Sequence, residues 1–594
     1  MRAPAPVVAF AALLLAAAFA EDAHAETITA VEIRGLNDPV MVNNVRRALS
    51  LVDSIGRDLS PSRRDYLVRE AQAEARHALE PFGYFSSTVE VAMIAGGKVR
   101  VTVTPGDPVH VDVLHVAVDG PGGADPILKA DVDAFAPTSG AVFDQTLYET
   151  SKSRIARRLT DRGYFDATLD RHDVVVTRGT GEADIDLAWS SGTRHVLGPV
   201  SFVQTPTSII DNALLMKQVR WKPGTPYDQA RLDALRDTLS RLDYFAGIDI
   251  EPQLEKKSGT TVPILVTLTP AKRSIYTAGL GYGSTSGPGI RLGLERRYLN
   301  RRGHKALAEL DYARQRKLLS LEYRIPASAW FEGWYSLGAQ AADEQTDYID
   351  TRRVEIVASR SGEINAHWRA VVGLHVLRER WAYAAEDDGD PRTPPDYRYA
   401  SLLFPSISGT YRNVDSLLEP RRGVAGSADV RGGMGGAGSD AKFAQARVEL
   451  RWFHGLGPND RLLVRGELGH TFTNALLQLP PSLRFHAGGD GSIRGYGWRE
   501  VGPRVGGPGQ RFPVGASNVV TASVEYERYF TPRWGAAVFV DTGSAFEGHP
   551  DLRTGVGIGL RWRSPVGPLR VDFARGLDQP DSPFQITLNI GANL

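Results

Sequence analysis

The chain contains no cysteine among its 594 residues. That absence excludes a disulfide scaffold, a thiolate metal site and a cysteine nucleophile. The chain also lacks net charge, because 69 lysines and arginines balance 69 aspartates and glutamates. A general nucleic-acid-binding protein needs a basic excess, so nucleic acid is not expected as a partner. A chain of this length is too long to fold around one compact hydrophobic core. We therefore expect several domains or one large closed sheet.

Long apolar runs are also scarce, and the notable one stands at the N-terminus. Arg2 precedes an apolar stretch over 7–20, and the small-x-small triplet Ala23-His24-Ala25 follows it. This order predicts a signal peptide over residues 1–25, with maturation at Glu26. A membrane anchor is the alternative, although the stretch is shorter than the roughly 20 residues that a spanning helix needs. No later apolar run without a charge is even as long as the stretch 7–20. If the exported chain is a membrane protein, it is therefore expected to be a β-barrel.

Motifs of familiar enzyme chemistry are missing as well. The sequence has no HExxH zinc motif, no Walker loop and no nucleophile elbow. Segment 283–287 has threonine where an elbow needs serine, and the glycine-rich segment 432–438 lacks the lysine of a phosphate loop. His110 and His115 have no further ligands at metal spacing. We therefore expect neither an enzyme nor a bound cofactor or metal.

A threefold repeat is present in the N-terminal half. Its markers are Gly83-Tyr84-Phe85, Gly163-Tyr164-Phe165 and Asp243-Tyr244-Phe245, spaced 80 residues apart because 164 − 84 and 244 − 164 are both 80. Each marker ends a stretch with helical periodicity, and each unit has the order strand, helices, strand, strand. About 80 residues suffice for an α+β unit with its own core. The glycines are expected to cap helices while the aromatic residues fill the core.

The repeated unit resembles POTRA domains, the periplasmic modules that precede certain outer-membrane barrels. This resemblance implies three POTRA domains, over residues 26–107, 108–192 and 193–270. It also implies that client chains bind by adding a strand to an exposed sheet edge. In that mode main-chain hydrogen bonds supply the affinity, so many client sequences are tolerated.

From residue 271 to residue 594 the sequence changes to alternating runs of about ten residues. In one of them, Val556, Ile558 and Leu560 alternate with glycines and an arginine. Such strands are expected where lipid lies outside a barrel and water inside, although a soluble sandwich also alternates. The signal peptide and the strand count favour an antiparallel, 16-stranded transmembrane β-barrel. The candidate strands begin near residues 275, 289, 305, 317, 334, 351, 367, 401, 422, 443, 460, 518, 533, 552, 567 and 584.

Two motifs in the barrel region carry the functional prediction. The longest connection, 474–517, follows the eleventh strand and contains Arg494-Gly495-Tyr496. The thirteenth strand contains Phe539, Asp541 and Gly543 in the pattern Phe-x-Asp-x-Gly. By alternation the carboxylate of Asp541 faces the lumen, where it can pair with the loop arginine. In a partly water-filled lumen this pair is expected to order the loop more than to stabilise the barrel. The alternative is a surface loop with a solvated arginine.

These motifs resemble those of the superfamily that contains BamA, TamA and the two-partner secretion transporters. Its members share an Arg-Gly-(Phe/Tyr) tip on the sixth extracellular loop, together with the Phe-x-Asp-x-Gly strand. Segments 415–423 and 557–572 resemble the superfamily's turn between strands eight and nine and its penultimate hairpin. The first barrel segment, 279–304, and the three repeats resemble the TamA family in particular.

The resemblance implies an outer-membrane assembly factor of a Gram-negative bacterium, with its POTRA domains in the periplasm. The implied clients are outer-membrane proteins such as autotransporters. The implied partners are outer-membrane lipids and an elongated, inner-membrane-anchored TamB-like protein that contacts the first POTRA domain. A channel that exports a soluble passenger is the alternative, and a plain porin or adhesin barrel is a third hypothesis. A neighbouring gene for a TamB-like protein would favour assembly, and one for a secreted passenger would favour the channel.

The closing seam of the barrel is expected to carry the activity. The first strand holds Gly279, Gly281 and Gly283, which weaken a strand because they lack packing side chains. An open seam leaves backbone groups unpaired in lipid, at a cost of several kcal/mol each, and an incoming client strand could pair with them. The hypothesis is a lateral gate between strands one and sixteen. The alternative is that the glycines only relieve crowding in the lumen.

The last strand supplies the other side of this seam. It alternates Ile586, Leu588 and Ile590, and the chain ends at Leu594 instead of an aromatic residue. That ending departs from the usual C-terminal signal of outer-membrane proteins. Whether Leu594 or an internal residue serves as the assembly signal is therefore open.

Overall fold

The computed structural model describes residues 27–283, 287–327, 333–345, 349–383, 396–436, 438–505, 512–565, 567–578 and 584–590. The proposed signal peptide, its cleavage site at Glu26 and the terminal Leu594 lie outside these residues. Within the described ranges no helix combines the length and the hydropathy needed to cross a membrane. The chain divides into two compact units. The first comprises Met1–Ser201, Trp221–Ala234 and Ile250–Leu265, and the second comprises Phe202–Arg220, Leu235–Asp249 and Val266–Leu594.

Three small three-stranded sheets, each accompanied by helices, follow one another along the N-terminal part. In the first sheet β1 runs parallel to β3, and β2 pairs with β3 in the antiparallel sense. The sheet orders are β1-β3-β2, β4-β6-β5 and β7-β9-β8. The strands are β1 (Ala30–Arg34), β2 (Thr88–Ile94), β3 (Lys98–Thr104), β4 (His110–Asp119), β5 (Thr168–Thr177), β6 (Glu182–Ser190), β7 (Val196–Gln204), β8 (Phe245–Pro252) and β9 (Thr261–Pro270). The helices are α1 (Pro39–Ala48), α2 (Pro61–His77), α3 (Pro126–Asp133), α4 (Gln145–Asp161), α5 (Asn212–Met216) and α6 (Gln229–Arg241).

The repeated tripeptides stand where a left-handed backbone ends each helical stretch. Gly83 and Gly163 have φ angles of +88° and +85°, which glycine adopts without steric cost. Asp243 takes the same position in the third repeat with φ +56°. Tyr164 and Tyr244 are buried, with 3% and 0% of their surface exposed. The tyrosines of the second and third tripeptides are therefore core residues.

Sixteen antiparallel strands form one continuous sheet, the barrel sheet, in the order β10 to β20 followed by β23 to β27. This arrangement confirms the predicted fold class. The largest difference between predicted and observed strand starts is three residues, at β17 (predicted 401, observed 398). The strands are β10 (Ser274–Gly283), β11 (Gly287–Arg296), β12 (Lys305–Ala313), β13 (Arg316–Ala327), β14 (Gly333–Gln345), β15 (Ile349–Glu363), β16 (Trp368–Tyr383), β17 (Arg398–Val414), β18 (Gly423–Gly433), β19 (Phe443–Gly455), β20 (Asp460–Phe472), β23 (Asn518–Tyr529), β24 (Trp534–Phe546), β25 (Arg553–Ser564), β26 (Gly567–Gly576) and β27 (Gln585–Ile590).

The connection 474–517, called loop 6 below, fills part of the interior of the barrel sheet. It contains a two-residue pair, β21 (Arg504–Val505) with β22 (Phe512–Pro513). Loop residues Phe485, Ile493 and Tyr496 form a buried cluster with Val519 and Ala545 of the wall. The interior is therefore packed with protein along this side.

A short segment of the third repeat is bound to the barrel sheet within the second compact unit. The Tyr244 hydroxyl donates to the Gly303 carbonyl oxygen at 2.5 Å, and Arg297 Nε donates to Asp243 Oδ2 at 2.8 Å. Lys305 Nζ lies 5.2 Å from the ring centre of Tyr244, a distance that favours a cation–π interaction. The third tripeptide thus holds the turn between β11 and β12.

The substitution Gly163→Ala tests the left-handed turn of the second repeat. An added Cβ would lie 2.6 Å from Tyr227 Cβ, and φ is already positive. The strain of a left-handed residue costs about 1–2 kcal/mol and overpacking typically adds about 1–3 kcal/mol. We expect the free energy of unfolding of the repeats to fall by the sum of these two costs. The protease susceptibility of the full chain in urea would measure this decrease.

Gly140→Ala is the matched control, because Gly140 has φ +82° but no neighbouring atom within 4 Å of an added Cβ. The free energy of unfolding of this variant should fall only by the cost of the backbone strain. Equal losses for the two variants would contradict the packing role of Gly163.

Candidate functional site

The loop arginine and the strand aspartate of the two motifs meet inside the barrel sheet. Arg494 Nε donates to Asp541 Oδ2 at 2.7 Å, and Nη2 donates to Asp541 Oδ1 at 2.9 Å. The backbone N–H of Arg494 adds a third bond to Asp541 Oδ2 at 3.0 Å. The guanidinium carbon lies 3.3 Å from the ring centre of Phe539. This two-pronged geometry is specific to arginine and fixes both the side chain and the backbone of the loop tip.

Two further carboxylates bind the same guanidinium. Arg494 Nη1 donates to Glu525 Oε2 at 2.6 Å and to Asp572 Oδ2 at 3.0 Å. Three strands, β23, β24 and β26, therefore each contribute a carboxylate to one arginine. The loop tip is held by a cluster instead of by a single pair.

This cluster is excluded from solvent. Arg494 is 5% exposed, Asp541 is 0% exposed, and Glu525 and Asp572 are 4% exposed each. The sequence predicts that this pair lies in a partly water-filled lumen. That prediction is wrong for this cluster, because loop 6 covers the wall and shields the charged groups from solvent. A buried pair is expensive to break, since removing one partner leaves an uncompensated charge in a medium of low polarity.

A column of glycines on β25 makes room for the loop tip. A Cβ at Gly555 would lie 1.8 Å from the Arg494 carbonyl oxygen, and one at Gly557 would lie 2.3 Å from the Phe539 ring. A Cβ at Gly559 would lie 2.2 Å from Asp572 Oδ1. The inner face of this strand is therefore reserved for the loop, the Phe539 ring and the carboxylate.

The glycines of the two motifs are also required by space. Gly495 has φ +93°, and its Cβ would lie 2.4 Å from the Arg575 carbonyl carbon. A Cβ at Gly543 would lie 2.4 Å from the Val520 carbonyl oxygen. Both positions allow backbones to approach more closely than a side chain permits.

Tyr496 fastens the other side of the loop tip. Its hydroxyl donates to Asp578 Oδ2 at 3.0 Å, and its ring covers Gly576, where a Cβ would lie 2.6 Å from the ring. The backbone N–H of Thr554 donates to the same carboxyl oxygen at 2.6 Å and lowers the pKa of Asp578. Asp578 stands two residues after the end of β26, so the loop tip is also held at that end of β26.

The seam residues stand on the two edge strands of the barrel sheet. Gly279 pairs with Arg291, Gly281 with Gly289, and Gly283 with Gly287, all within β10 and β11. On β27, Ile586, Leu588 and Ile590 pair with Phe573, Val571 and Leu569 of β26. In the described residues the sheet order begins at β10 and ends at β27, with one neighbour for each.

The surroundings of the seam residues test the alternative that the glycines of β10 only relieve crowding in the lumen. A Cβ at Gly279 would meet no atom within 4 Å, so crowding does not explain glycine there. Leu280 is 90% exposed, whereas Ile586 and Leu588 are 55% and 50% exposed. Leu280, Ile586 and Leu588 therefore face outward, where lipid is expected.

Sequence reasoning placed Arg494 and Asp541 but missed most of the cluster. Alternation in the sequence places Glu525, Asp572 and the β25 glycines on the inner faces of their strands, but it does not bring them together. Which inner residues meet depends on neighbours in the folded sheet, and these lie 31 to 78 residues apart along the chain.

Two family models match the chain. The model of the Omp85 superfamily domain matches residues 299–593, and the model of POTRA domain TamA domain 1 matches residues 30–105. These matches support a POTRA-barrel protein of the BamA/TamA-type superfamily. They also agree with an outer-membrane location for the barrel and a periplasmic location for the POTRA domains. The narrower assignment to the TamA family stays a prediction.

Similar proteins include two curated outer-membrane protein assembly factors named BamA. The protein from Nitratidesulfovibrio vulgaris is 25% identical over 378 residues, 62% of this chain and 47% of the relative. The protein from Neisseria meningitidis serogroup B is 21% identical over 431 residues, 63% of this chain and 53% of the relative. The chain thus spans about half the length of these relatives.

A solved structure shares the fold. BamA from Haemophilus ducreyi lacking POTRA domains 1–3 has a TM-score of 0.66 and 17% sequence identity. The match covers 81% of this chain and 99% of that chain.

Replacing Arg494 or Asp541 by alanine tests the anchored loop tip. We expect each single variant to lose about 3–5 kcal/mol of unfolding free energy, because each removes the strongest hydrogen bonds of a buried charge and leaves that charge only partly compensated. The double variant should lose little more than either single one, which a double-mutant cycle on the refolded barrel would measure. Arg447→Ala is the control, since Arg447 pairs with Glu467 but its side chain is 45% exposed and should cost about 1 kcal/mol or less. Independent, additive losses would contradict the contact.

Gly555→Ala tests the space reserved for the loop without altering any charge. The new methyl group would overlap the Arg494 carbonyl oxygen, so the loop tip must move. We expect a single cysteine introduced at Gly491, where a Cβ meets no atom within 4 Å, to be alkylated several-fold faster in this variant.

Gly466→Ala is its control on β20, because a Cβ there meets only the Thr521 carbonyl oxygen at 3.6 Å. It should leave the alkylation rate of the Gly491→Cys reporter unchanged. An unchanged rate in Gly555→Ala would show that the loop does not depend on that wall.

Proposed function

We propose that this POTRA-barrel protein is an assembly factor of the outer membrane, which inserts client β-barrel proteins such as autotransporters. The POTRA repeats receive the client in the periplasm, and the seam between β10 and β27 templates its strands. The match to the Omp85 superfamily domain and the similarity to two BamA proteins support this proposal.

One observation carries the seam proposal. Within the part of the chain that the structure describes, β10 and β27 each pair with one neighbouring strand, and a Cβ added at Gly279 would meet no atom within 4 Å. An edge strand offers unpaired N–H and C=O groups, and pairing them is strongly favoured in lipid. A client strand is the partner of matching chemistry, because main-chain pairing needs no particular side chains.

The buried loop favours this function over a passenger channel. Loop residues Leu479, Leu483 and Ile493 are 0–2% exposed within the interior. Export of a soluble passenger through the lumen would require these contacts and the Arg494 cluster to be broken. Insertion at the seam requires no such opening.

A TamB-like, inner-membrane-anchored protein is proposed as the partner of the first POTRA domain. The match of residues 30–105 to the first POTRA domain of TamA supports it. Outer-membrane lipids are the second proposed partner, because Leu280, Leu588 and other apolar side chains cover the outer face of the barrel strands.

A disulfide across the seam tests the proposal in this cysteine-free chain. Gly281→Cys introduces a thiol on β10 and Asn589→Cys introduces one on β27, and oxidation would lock the two strands together. We expect the locked protein to lose most of its capacity to insert an autotransporter barrel into liposomes. Reduction should restore it.

The control disulfide joins Arg570→Cys and Asn589→Cys, which are register partners on β26 and β27 and leave the seam free. It should retain insertion after oxidation. If the seam-locked protein still inserts clients, the lateral seam is wrong. If locking spares export of a soluble passenger that the protein is found to carry, the channel is the better description.

A further inference from the structure

The charged cluster at the loop tip continues beyond Arg494 towards the opposite end of the barrel. Arg561 on β25 is 1% exposed and binds three carboxylates. Its Nη2 donates to Glu525 Oε1 at 2.6 Å, its Nη1 to Asp572 Oδ1 at 2.6 Å, and its Nε to Glu527 Oε1 at 2.8 Å. Arg561 is therefore the second centre of the cluster.

Glu525 and Asp572 bridge the two arginines. Each gives one oxygen to Arg494 and its other oxygen to Arg561. Glu527 repeats this arrangement one step further, with Oε1 on Arg561 and Oε2 on Arg461 at 2.5 Å. Loss of one arginine thus leaves half of each bridging carboxylate unpaired in a dry interior.

The chain of contacts ends on the turn 415–422 between β17 and β18. Arg461 Nη1 donates to the Pro420 carbonyl oxygen at 2.5 Å, and Arg563 Nε binds Glu419 Oε2 at 2.5 Å. Within the turn, Asp415 Oδ1 accepts the backbone N–H of Arg421 at 2.8 Å. Two arginines from the wall therefore hold a turn that is closed by its own aspartate.

The turn and the loop tip belong to opposite ends of the strands. Arg561 lies six positions along β25 from Gly555 (561 − 555), which is about 20 Å in a strand. Gly555 faces the loop tip, whereas Arg563 near the end of β25 faces the turn. The turn lies at the end where the chain enters the barrel sheet, which corresponds to the periplasmic side.

We propose that Arg561 is a positioning residue that couples loop 6 to the turn 415–422, so that both are held or released together. The coupling runs through the shared carboxylates Glu525, Asp572 and Glu527. A disturbance of the turn on the periplasmic side would thereby loosen the loop tip beside the end of β26. The biological role rests on the proposed function, but the coupling is measured without any client.

A single cysteine at Leu418, which is 65% exposed on the turn, serves as the reporter. It carries a spin label in the purified, refolded full chain. Arg494→Ala, which does not touch the turn, is expected to raise the mobility of this label clearly. In an Arg561→Gln background the label should already be mobile, and adding Arg494→Ala should change it little.

Two further variants separate coupling from general loosening. Arg561→Lys keeps the charge but cannot bind three carboxylates as a fork does, so it should restore the label only in part. Arg447→Gln removes an arginine that bridges Glu449 and Glu467 outside this chain of contacts. It should leave the Leu418 label immobile.

The reciprocal experiment uses the Gly491→Cys reporter on loop 6. Coupling between two sites must act in both directions, so Glu419→Gln on the turn should speed its alkylation several-fold. If Arg494→Ala prevents folding, Gly555→Ala displaces the loop tip with all charges present, and the Leu418 label should again respond. An immobile Leu418 label in folded Arg494→Ala and Gly555→Ala proteins would overturn the proposal, as would an equal response to Arg447→Gln. Loss of client insertion with coupling intact would instead count against the proposed function alone.

Discussion

Carboxylates in a solvent-free interior require guanidinium partners, and this requirement determines how the second unit is arranged around its lumen. Asp541 and Glu527 are 0% exposed, and leaving either unpaired would cost several kcal/mol. Asp541 receives its shortest arginine contacts from Arg494 of the loop, whereas Glu527 receives Arg561 and Arg461 from the wall. The loop arginine therefore supplies charge that the interior carboxylates of the wall bind.

The same requirement explains the unusual composition of the neighbouring wall. A strand that receives a loop against its inner face cannot also carry side chains there. Gly555, Gly557 and Gly559 supply that space on β25, while the outward residues Ile558 and Leu560 remain large and apolar. The carboxylates that bind Arg494 and the glycines that make room for the loop tip thus lie at the same part of the wall.

The repeats, the strand count and the pairing of Arg494 with Asp541 could all be anticipated from spacing, alternation and resemblance. Alternation determines which face of a strand a residue occupies, and Asp541 is accordingly buried while Val540 is 50% exposed. It does not determine which inner residues of different strands meet. The contact of Arg494 with Asp572 spans 78 residues and depends on sheet twist, strand tilt and the path of loop 6. The burial of this cluster cannot be predicted for the same reason, because it depends on how the folded loop covers the wall.

The glycine column has a consequence for how this wall can form. Strand pairing is local along the chain, since each barrel strand pairs with the next one in sequence. The inner face of β25, in contrast, is covered by the loop tip around Arg494. Arg494 also binds Asp572 on the neighbouring strand, which lies 78 residues further along the chain. Hairpin formation alone therefore leaves this part of the wall hollow. Its packing is completed by a long-range event, of the kind that slows folding because a large loop must first be closed.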